Sequence, residues 1–270
     1  MYKKKNIIKI SGLLSLLAMQ VLYSCSTTES LSYEDVKNSN KWELRFEDSC
    51  KGNWQDNWFL DGKIATVENS DAGMNFAAGP EFRNDAHHAV LWTNDSFKGD
   101  VKVEFDYTRT DEQTINVNII YIQAQGIGTD PYTEDISEWN HLREIPAMNI
   151  YYDYMNPLHI SFAAFPMVNE DPSNDYIRAR KYPQTESISF DDMEVAPSYD
   201  GIGLFKSGIT YKVTVIKTDY RLYMQVEGDG QDKCYEWDVS QNERLEDGRI
   251  GLRHMYTRSA RYANFKVYTK

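Results

Sequence analysis

Three short stretches between residues 149 and 182 combine side chains that bind or titrate with an alternation of polar and apolar residues. They read Asn149-Ile-Tyr-Tyr-Asp153, His159-Ile-Ser-Phe-Ala163 and Tyr176-Ile-Arg-Ala-Arg180. In an extended strand, successive side chains point to opposite faces. Three neighbouring strands would therefore present histidine, tyrosine, asparagine, aspartate and two arginines on one sheet face. We interpret this face as a ligand-binding surface, with His159, Tyr151 and Tyr176 as candidates for proton transfer.

Arg178 and Arg180 lie two residues apart, so both guanidinium groups point to the same face. A guanidinium group matches a carboxylate through two parallel hydrogen bonds. This pair therefore indicates a site for an acidic group of a substrate. The alternative is an ion pair with one of the chain's own acids, such as Asp153 or Asp175.

His88 and Trp92 share a strand face if Ala89 and Leu91 face the core. An aromatic ring beside an imidazole can stack on a pyranose ring and exchange protons with it. We therefore include His88 among the catalytic candidates and Trp92 among the substrate-binding residues. The alternative is a structural histidine beside a half-buried tryptophan.

The polar residues of the run from Asn116 to Gln125 change parity midway, with Asn118 on one parity and Gln123 on the other. A bulge near residues 119–120 would bring both onto one face. Side-chain amides bind sugar hydroxyls and hold a carboxylate without titrating. Asn118 and Gln123 are therefore substrate-binding candidates, and a polar ladder on an edge strand is the alternative.

Other chemistries find less support in the sequence. No Gly-x-Ser-x-Gly turn accompanies Ser161, which argues against a serine hydrolase. Glu104 and Asp106 share a strand face and could act as the two acids of a glycoside hydrolase. No zinc-ligand spacing is present, and no cofactor is expected, although the many aspartates allow a structural calcium ion.

Residues 1–24 have the features of a bacterial export signal. Four lysines precede an apolar run from Leu13 to Leu22, which is too short to span a membrane. The sequence Leu22-Tyr-Ser-Cys25 resembles a lipobox, in which the cysteine is lipidated and becomes the first residue of the mature protein. We expect an outer-membrane lipoprotein, on the periplasmic side or at the cell surface; an ordinary secretory signal is the alternative. Residues 25–40 read as a flexible tether, and residues 41–270 as a single domain.

The formal charge of −12 becomes −16 when the four lysines of the signal segment are removed. This charge argues against nucleic acid as a partner but leaves an acidic oligosaccharide open if basic groups cluster locally. An exported chain allows a disulfide between Cys50 and Cys234, and two free buried thiols are the default expectation.

Short strand signals recur along residues 42–270, separated by Gly, Asn and Asp turns, and predict an all-β antiparallel sandwich. A long helical periodicity is missing; the run Thr133–Glu144 reads as a helical turn or ordered loop at a cleft rim. The predicted strands are Trp42–Phe46, Ile64–Glu68, Gly73–Ala77, His88–Trp92, Val101–Tyr107, Ile115–Gln125, Met148–Tyr152, His159–Phe165, Tyr176–Arg180, Gly201–Lys206, Thr210–Thr218, Arg221–Val226, Gly248–Leu252 and Ala263–Tyr268.

Several strings together resemble the YesU-like family of uncharacterised bacterial proteins over nearly all of residues 42–270. They are Trp58-Phe-Leu-Asp-Gly62, Asp85-Ala-His-His-Ala-Val-Leu-Trp92, Tyr121-Ile-Gln-Ala-Gln-Gly126, His159-Ile-Ser-Phe-Ala163, Tyr176-Ile-Arg-Ala-Arg-Lys-Tyr182 and Gly251-Leu-Arg253. The resemblance implies a concanavalin A-like jelly-roll sandwich and a role beside enzymes that degrade uronic-acid polysaccharides. The lipoprotein form also resembles the oligosaccharide dehydratases of marine ulvan breakdown. The Glu-x-Asp-x-x-Glu strand of the glucanases that share this fold is absent.

These observations lead to a first hypothesis of β-elimination on a uronate-containing oligosaccharide. Arg178 and Arg180, with Asn118 or Gln123, would neutralise the carboxylate. His88 and His159 would serve as base and acid, with Tyr151 or Tyr176 as substitutes. The enzyme is a lyase if the C4 oxygen carries another sugar and a dehydratase if it is a free hydroxyl, and the resemblance favours the dehydratase. The alternatives are a non-catalytic glycan-binding protein and a glycoside hydrolase.

Overall fold

The computed structural model describes residues 32–270, so the predicted signal segment and Cys25 lie outside the described residues. The described chain forms two antiparallel β-sheets that pack face to face, and this confirms the predicted all-β sandwich. Across residues 32–270, no helix is both long and apolar enough to span a membrane.

The sandwich is built from fifteen strands and two short α-helices. The strands are β1 (Glu43–Asp48), β2 (Trp58–Asp61), β3 (Thr66–Ser70), β4 (Gly73–Ala77), β5 (Ala89–Thr93), β6 (Val101–Arg109), β7 (Asn118–Ala124), β8 (Leu158–Ala164), β9 (Tyr176–Lys181), β10 (Glu194–Asp200), β11 (Thr210–Lys217), β12 (Arg221–Gly228), β13 (Gln231–Asp238), β14 (Arg249–His254) and β15 (Ser259–Thr269). The helices are α1 (Tyr33–Lys37) and α2 (Met148–Tyr154).

The two sheets differ in the order of their strands. Sheet 1 runs β13-β12-β11-β6-β15-β4-β3, with β1 also paired to β15. Sheet 2 runs β10-β9-β8-β7-β14-β5-β2. Strands that are distant in sequence therefore become neighbours, and β14 lies between β5 and β7 in the middle of sheet 2.

The core lies between the sheets and consists of every second side chain of the central strands. On β6 these are Val103, Phe105 and Tyr107, and on β8 they include Ile160 and Phe162. Phe105 and Phe162 approach with ring centroids 6.4 Å apart across the interface between the sheets. The strict alternation of β6 predicted this arrangement, because one parity must be apolar where a strand has one buried face.

A second apolar layer covers the outer face of sheet 2, the face that points away from the core. The long connection between β7 and β8, residues 125–157, folds over this face and contains α2. Trp139 and Tyr151 of this connection pack against Trp92 and Tyr121 of the sheet. Sheet 2 is therefore buried on both sides in its centre, which explains why β5, β7 and β8 are buried at every position.

The predicted strand Met148–Tyr152 was wrong, because this segment is helix α2. A short apolar run fits either a period of two or a helical period, and its length does not separate them. Helical spacing places Tyr151 and Met155 on one face, and both are fully buried against the sheet. Pro157 follows two residues after the end of the packed segment, where no helical N–H is needed.

Four further differences concern one irregular segment and three short strands. The predicted strand at residues 201–206 is irregular, because Gly201, Gly203 and Phe205 all have positive φ angles. The sequence analysis also missed β2, β10 and β13. Strand β10 contains Pro197, which suits only an edge strand, and β10 and β13 are edge strands of their sheets.

Residues 33–42 pack on the outer face of sheet 1. Ser32 and Asp35 form a capping box that starts α1. Val36 is buried against Ile216 and Tyr223, so the last part of the predicted tether is in contact with the domain. The two cysteines within residues 32–270 are free: Cys50 is buried as expected, whereas Cys234 is exposed rather than buried.

Candidate functional site

The outer face of sheet 2 brings several predicted site residues into one row. Strand register pairs Trp92 with Gly251, Gly251 with Tyr121, Tyr121 with His159, and His159 with Arg180. Gly251 has no side chain, and a Cβ atom there would lie 2.3 Å from the Trp92 ring. The Trp92 ring therefore lies across the glycine and stacks on Tyr121 with the ring centroids 5.2 Å apart.

The connection that covers this face is attached to it through a buried carboxylate, Asp61 of β2. Oδ2 of Asp61 accepts hydrogen bonds from Trp92 Nε1 at 2.7 Å, Arg143 Nε at 2.6 Å and Tyr151 Oη at 2.9 Å. Its other oxygen accepts from Asn140 Nδ2 at 2.6 Å. We call these five residues the Asp61 hub.

The buried Asp61 carboxylate and the Arg143 guanidinium group of the hub have all their hydrogen-bond partners. The remaining nitrogens of Arg143 donate to the carbonyl oxygens of Trp139 and Ile136, at 3.2 and 2.7 Å. Trp92 and Tyr151, which the sequence analysis assigned to sugar binding and to proton transfer, are thus both used to hold the covering connection. Their side chains are fully buried, and burial together with the Asp61 carboxylate raises the pKa of Tyr151 well above its usual value.

A second group of buried polar side chains lies beside the hub on the same face. It consists of Tyr121, His159, Arg180, Tyr182 and Arg253, and we call it the His159 cluster. The His159 ring lies between two tyrosines, with its centroid 5.7 Å from the Tyr121 ring and 4.7 Å from the Tyr182 ring. None of the five side chains belongs to a residue more than 8% exposed.

The His159 cluster differs from the hub because many of its polar atoms have no partner within residues 32–270. These atoms are both ring nitrogens of His159, the hydroxyl groups of Tyr121 and Tyr182, Nε of Arg180, and Nε and Nη1 of Arg253. The Tyr121 hydroxyl lies close enough to Tyr182 and Arg253 for both to affect its pKa, but without the geometry of a hydrogen bond. Each buried polar group without a partner costs about 1–3 kcal/mol of folding free energy. Such groups are rare in folded proteins and call for an explanation, and a bound ligand supplies one.

The charges of the cluster are fixed by burial. Burial, with Arg180 and Arg253 nearby, lowers the pKa of His159 well below its usual range, so the imidazole is neutral at pH 7. Burial raises the pKa of Tyr121 to about 12 and raises that of Tyr182 well above its usual value. The cluster therefore offers a neutral base, two neutral hydroxyl donors and two guanidinium cations.

His88 lies outside the His159 cluster and contacts one of its members, Arg253. Nη2 of Arg253 donates to His88 Nδ1 at 2.7 Å and to the carbonyl oxygen of Pro146 at 2.7 Å. Burial and the Arg253 charge lower the pKa of His88 to about 2, so its ring is neutral and accepts through Nδ1. His88 thus orients the guanidinium group, and the sequence analysis assigned it a more direct role than this geometry indicates.

Two other candidates face the opposite side of sheet 2. Asn118 donates to the Tyr107 hydroxyl inside the core, and Gln123 donates to the carbonyl oxygens of Phe97 and Gly99. The irregularity in β7 is at Gln123, which has a φ of 53°, and not near residues 119–120. The predicted bulge was therefore misplaced, and neither amide reaches the His159 cluster.

Arg178 and Arg180 share one face as predicted but have different surroundings. Arg178 Nε lies 3.1 Å from Glu194 of β10 and donates to Ser198 Oγ at 2.9 Å. Arg180 Nη2 is 3.9 Å from the same glutamate. Part of the ion-pair alternative is therefore present, although the acid is Glu194 and not Asp153 or Asp175.

Tyr176 lies at the far end of β9, away from the His159 cluster. Its ring is covered by the guanidinium group of Arg178, 4.7 Å from the ring centroid. Both residues line an open groove that also contains Asp200. Tyr176 is thus placed for binding beside the cluster and not for proton transfer within it.

The β9–β10 connection, residues 182–193, closes the cluster on its solvent side. Phe190 lies over the Arg180 guanidinium group at 4.7 Å and packs edge-on against Tyr152 at 5.2 Å. The neighbouring residues 185–192 are exposed. One exposed loop with a single aromatic anchor therefore separates Arg180 from solvent.

Sequence reasoning missed three members of the cluster: Tyr121, Tyr182 and Arg253. Arg253 alternates with the apolar Leu252 on a short strand, a pattern that does not distinguish an exposed arginine from a buried one. All three lie in strings that carry the YesU-like resemblance, which was the available signal. Glu104 and Asp106, the acids of the hydrolase alternative, lie on sheet 1, where they contact Tyr268 and Asn264.

The described part of the chain contains no group of side chains arranged to bind a metal ion. Among residues 32–270, no three or more His, Cys, Asp or Glu side chains are grouped so as to hold a metal ion. The structural calcium ion therefore stays a prediction without assigned ligands.

Comparisons with known proteins support the fold. No protein-family profile matches the chain, and no curated protein matches it in sequence. A Bacillus subtilis protein of unknown function with a galectin-like fold matches with a TM-score of 0.63 and 18% identity, over 84% of this chain and 98% of that chain. The exoplasmic domain of VIP36 in a Ca²⁺/Man2-bound form matches with a TM-score of 0.53 and 13% identity, over 86% of this chain and 90% of that one.

These similarities define the class of the fold. The chain is a lectin-like sandwich of the galectin and concanavalin A type, as the resemblance in sequence implied. Identities this low carry no function from one protein to another. The YesU-like resemblance and the resemblance to ulvan oligosaccharide dehydratases stay predictions.

Proposed function

We propose that this protein binds an acidic oligosaccharide on the outer face of sheet 2 and catalyses β-elimination from its terminal uronate at the His159 cluster. The observation that supports this most strongly is the set of buried polar atoms without partners around a neutral imidazole. Perturbed titratable groups beside unsatisfied donors are typical of functional sites. A substrate would supply the missing hydrogen-bond partners.

The two arginines of the cluster would bind the substrate carboxylate. Nε and Nη1 of Arg253 and Nε of Arg180 are buried donors without acceptors among the described residues. A uronate carboxylate between them would complete their hydrogen bonds and lose its negative charge to the two cations. Neutralisation makes the C5 proton more acidic, because the enolate that forms on its removal is stabilised.

His159 and the two tyrosines provide for proton transfer. The neutral imidazole accepts the C5 proton, the C4–O4 bond breaks, and the electron pair forms the C4=C5 double bond. A phenol hydroxyl, from Tyr182 or Tyr121, donates its proton to the departing O4. The bound carboxylate offsets the charges of Arg180 and Arg253, and this raises the pKa of His159 in the complex and makes it a stronger base.

The closed side of the cluster favours a small leaving group. The covering connection and the Asp61 hub block the Trp92 side, whereas the groove at Tyr176 and Arg178 is open. A terminal uronate is attached to the rest of its chain through C1, so C1 must face the open side and C4 the closed side. A departing hydroxyl fits this arrangement better than a departing sugar, and we therefore favour dehydration over chain cleavage.

Substrate entry requires the β9–β10 connection to move. Phe190 is the contact of this loop with Arg180, and lifting it would expose the guanidinium group and the Tyr182 side of the cluster. Closure over the substrate would then exclude water from the elimination step, as the covering loops of other enzymes do.

A second candidate function is glycan binding without chemistry. The groove beside the cluster is open in the structure. The VIP36 domain that shares the fold has been solved in forms whose descriptions include bound mannose sugars. In this alternative the sheet 2 face holds the sugar and the His159 cluster is not a reaction centre.

An assay on uronate-ended oligosaccharides from ulvan or pectin separates the candidates. We expect the ultraviolet absorbance of a C4=C5 double bond conjugated to the carboxylate to appear during incubation. New reducing ends without that absorbance would indicate hydrolysis, and binding with neither product would leave the lectin-like function. Mass spectrometry of the exported protein tests the proposed lipid on Cys25 and, with it, anchorage to the outer membrane.

A further inference from the structure

The groove at the end of β9, beside the His159 cluster, has a volume of about 660 Å³. This lies within the ~300–1,000 Å³ range of small-molecule sites. Its lining residues are Pro166, Ser173, Asn174, Tyr176, Arg178, Asp200 and Gly201. The groove and the cluster are neighbours along β9, because Arg178 and Arg180 are about 7 Å apart at the rise of a β-strand, and the β9–β10 connection would have to open to join them.

Polar groups without partners face this groove as well. The Asp200 carboxylate is exposed and makes no hydrogen bond or ion pair within residues 32–270. Arg178 uses only Nε in contacts with Ser198 and Glu194, which leaves its two terminal nitrogens for a ligand. The groove therefore offers both an acceptor and donors.

The negative charge of Asp200 and the positive charge of Arg178 favour a neutral sugar ring over a second acidic group in the groove. A second acidic group in the groove would meet the negative charge of Asp200, whereas the hydroxyl groups of a sugar ring can donate to the carboxylate and accept from the guanidinium group. The Tyr176 ring also lines the groove, with the Arg178 guanidinium group over it at 4.7 Å from the ring centroid. A hydroxyl-bearing sugar ring matches all three features.

We propose that the groove is a subsite for the sugar attached to C1 of the reacting uronate, and that Asp200 and Arg178 recognise the hydroxyl groups of that sugar. This inference rests on the proposed function, because it takes the uronate to occupy the His159 cluster. It assigns Asp200 a role in recognising the length of the substrate and none in the elimination step.

Asp200→Ala tests the subsite against a matched control, Glu68→Ala. Glu68 is also an exposed carboxylate without a hydrogen bond or ion pair in the described chain, but it lies on β3 in sheet 1. Calorimetry would measure the binding of two probes to each variant, both with a 4-deoxy uronate that has no leaving group and is not consumed: methyl 4-deoxyglucuronoside, and a disaccharide whose non-reducing unit is 4-deoxyglucuronate. Only the disaccharide has a ring that reaches the groove.

We expect Asp200→Ala to weaken disaccharide binding about tenfold or more, since hydrogen bonds to a charged group are lost. Binding of methyl 4-deoxyglucuronoside should be unchanged, and Glu68→Ala should match the wild type with both probes. Equal affinities of Asp200→Ala and Glu68→Ala for the disaccharide would overturn the subsite, as would an equal loss with both probes. Because the measurement is binding, it remains decisive if the wild type proves to have no elimination activity.

Discussion

The Asp61 hub and the His159 cluster lie side by side on one face of sheet 2, and both are buried. In the hub, one carboxylate accepts four hydrogen bonds, and every nitrogen of Arg143 has an acceptor. In the cluster, an imidazole, two hydroxyl groups and two guanidinium groups leave atoms without partners. Composition alone does not separate the two regions, since both combine tyrosine with arginine.

The difference indicates what each region is for. A buried charge is tolerated when its hydrogen bonds are complete, and removing one partner then costs several kcal/mol. The Asp61 hub meets this condition and fixes the covering connection to the sheet. The His159 cluster does not meet it, so its folded form is less stable than it would be with apolar side chains, and a ligand is the simplest source of compensation.

The largest expected effect is on turnover in His159→Phe. General-base catalysis contributes about 10²–10⁴-fold to rate, so we expect a loss of that size. The free energy of unfolding should stay the same or increase, because two unpaired nitrogens are removed. Initial rates of double-bond formation and urea denaturation would measure the two quantities.

His254→Phe is the matched control for this change. His254 is also fully buried in sheet 2, but it faces the core and stacks on Phe76. Its Nε2 pairs with the Tyr262 hydroxyl at 2.9 Å, and only its Nδ1 has no partner within residues 32–270. The control should therefore lose stability and keep its turnover per folded molecule. Full turnover in His159→Phe, or an equal loss in both variants, would contradict the role of His159.

A pair of hydroxyl deletions compares the two regions atom by atom. Tyr151→Phe removes a hydrogen bond to the Asp61 carboxylate and should lower the free energy of unfolding by about 1.5–3 kcal/mol, with turnover retained. Tyr182→Phe removes a hydroxyl without a partner and should leave stability unchanged or raised. Its turnover should fall about 10²-fold if Tyr182 is the proton donor. If both variants lost stability equally, the distinction between hub and cluster would not hold.

The sequence supported the sandwich, the strand that carries Arg178 and Arg180, and the position of His159 beside them. Period-two alternation is a local property, so it can be read without coordinates. The cover over sheet 2 is not local, because it depends on how residues 125–157 pack against strands far away in the sequence. For that reason Trp92 and Tyr151 appeared as open site residues, and Arg253 was not recognised as the partner of His88.

The smallest expected effect is a change in the pH dependence of the free energy of unfolding, which follows from the burial of His159. The pKa of His159 is lowered in the folded protein, so the unfolded chain binds more protons than the folded one below about pH 6.5. The contribution of the neutral His159 ring to the free energy of unfolding is fully present above that pH. It decreases as the pH falls, by about 1.4 kcal/mol per pH unit for each such histidine. His159→Phe should therefore show a shallower loss of unfolding free energy than the wild type between pH 6 and pH 5, by about that amount per unit. If the wild type and His159→Phe lost the same unfolding free energy between pH 6 and pH 5, His159 would be protonated in the folded state over that range, and its pKa would not be lowered by burial as the structure indicates.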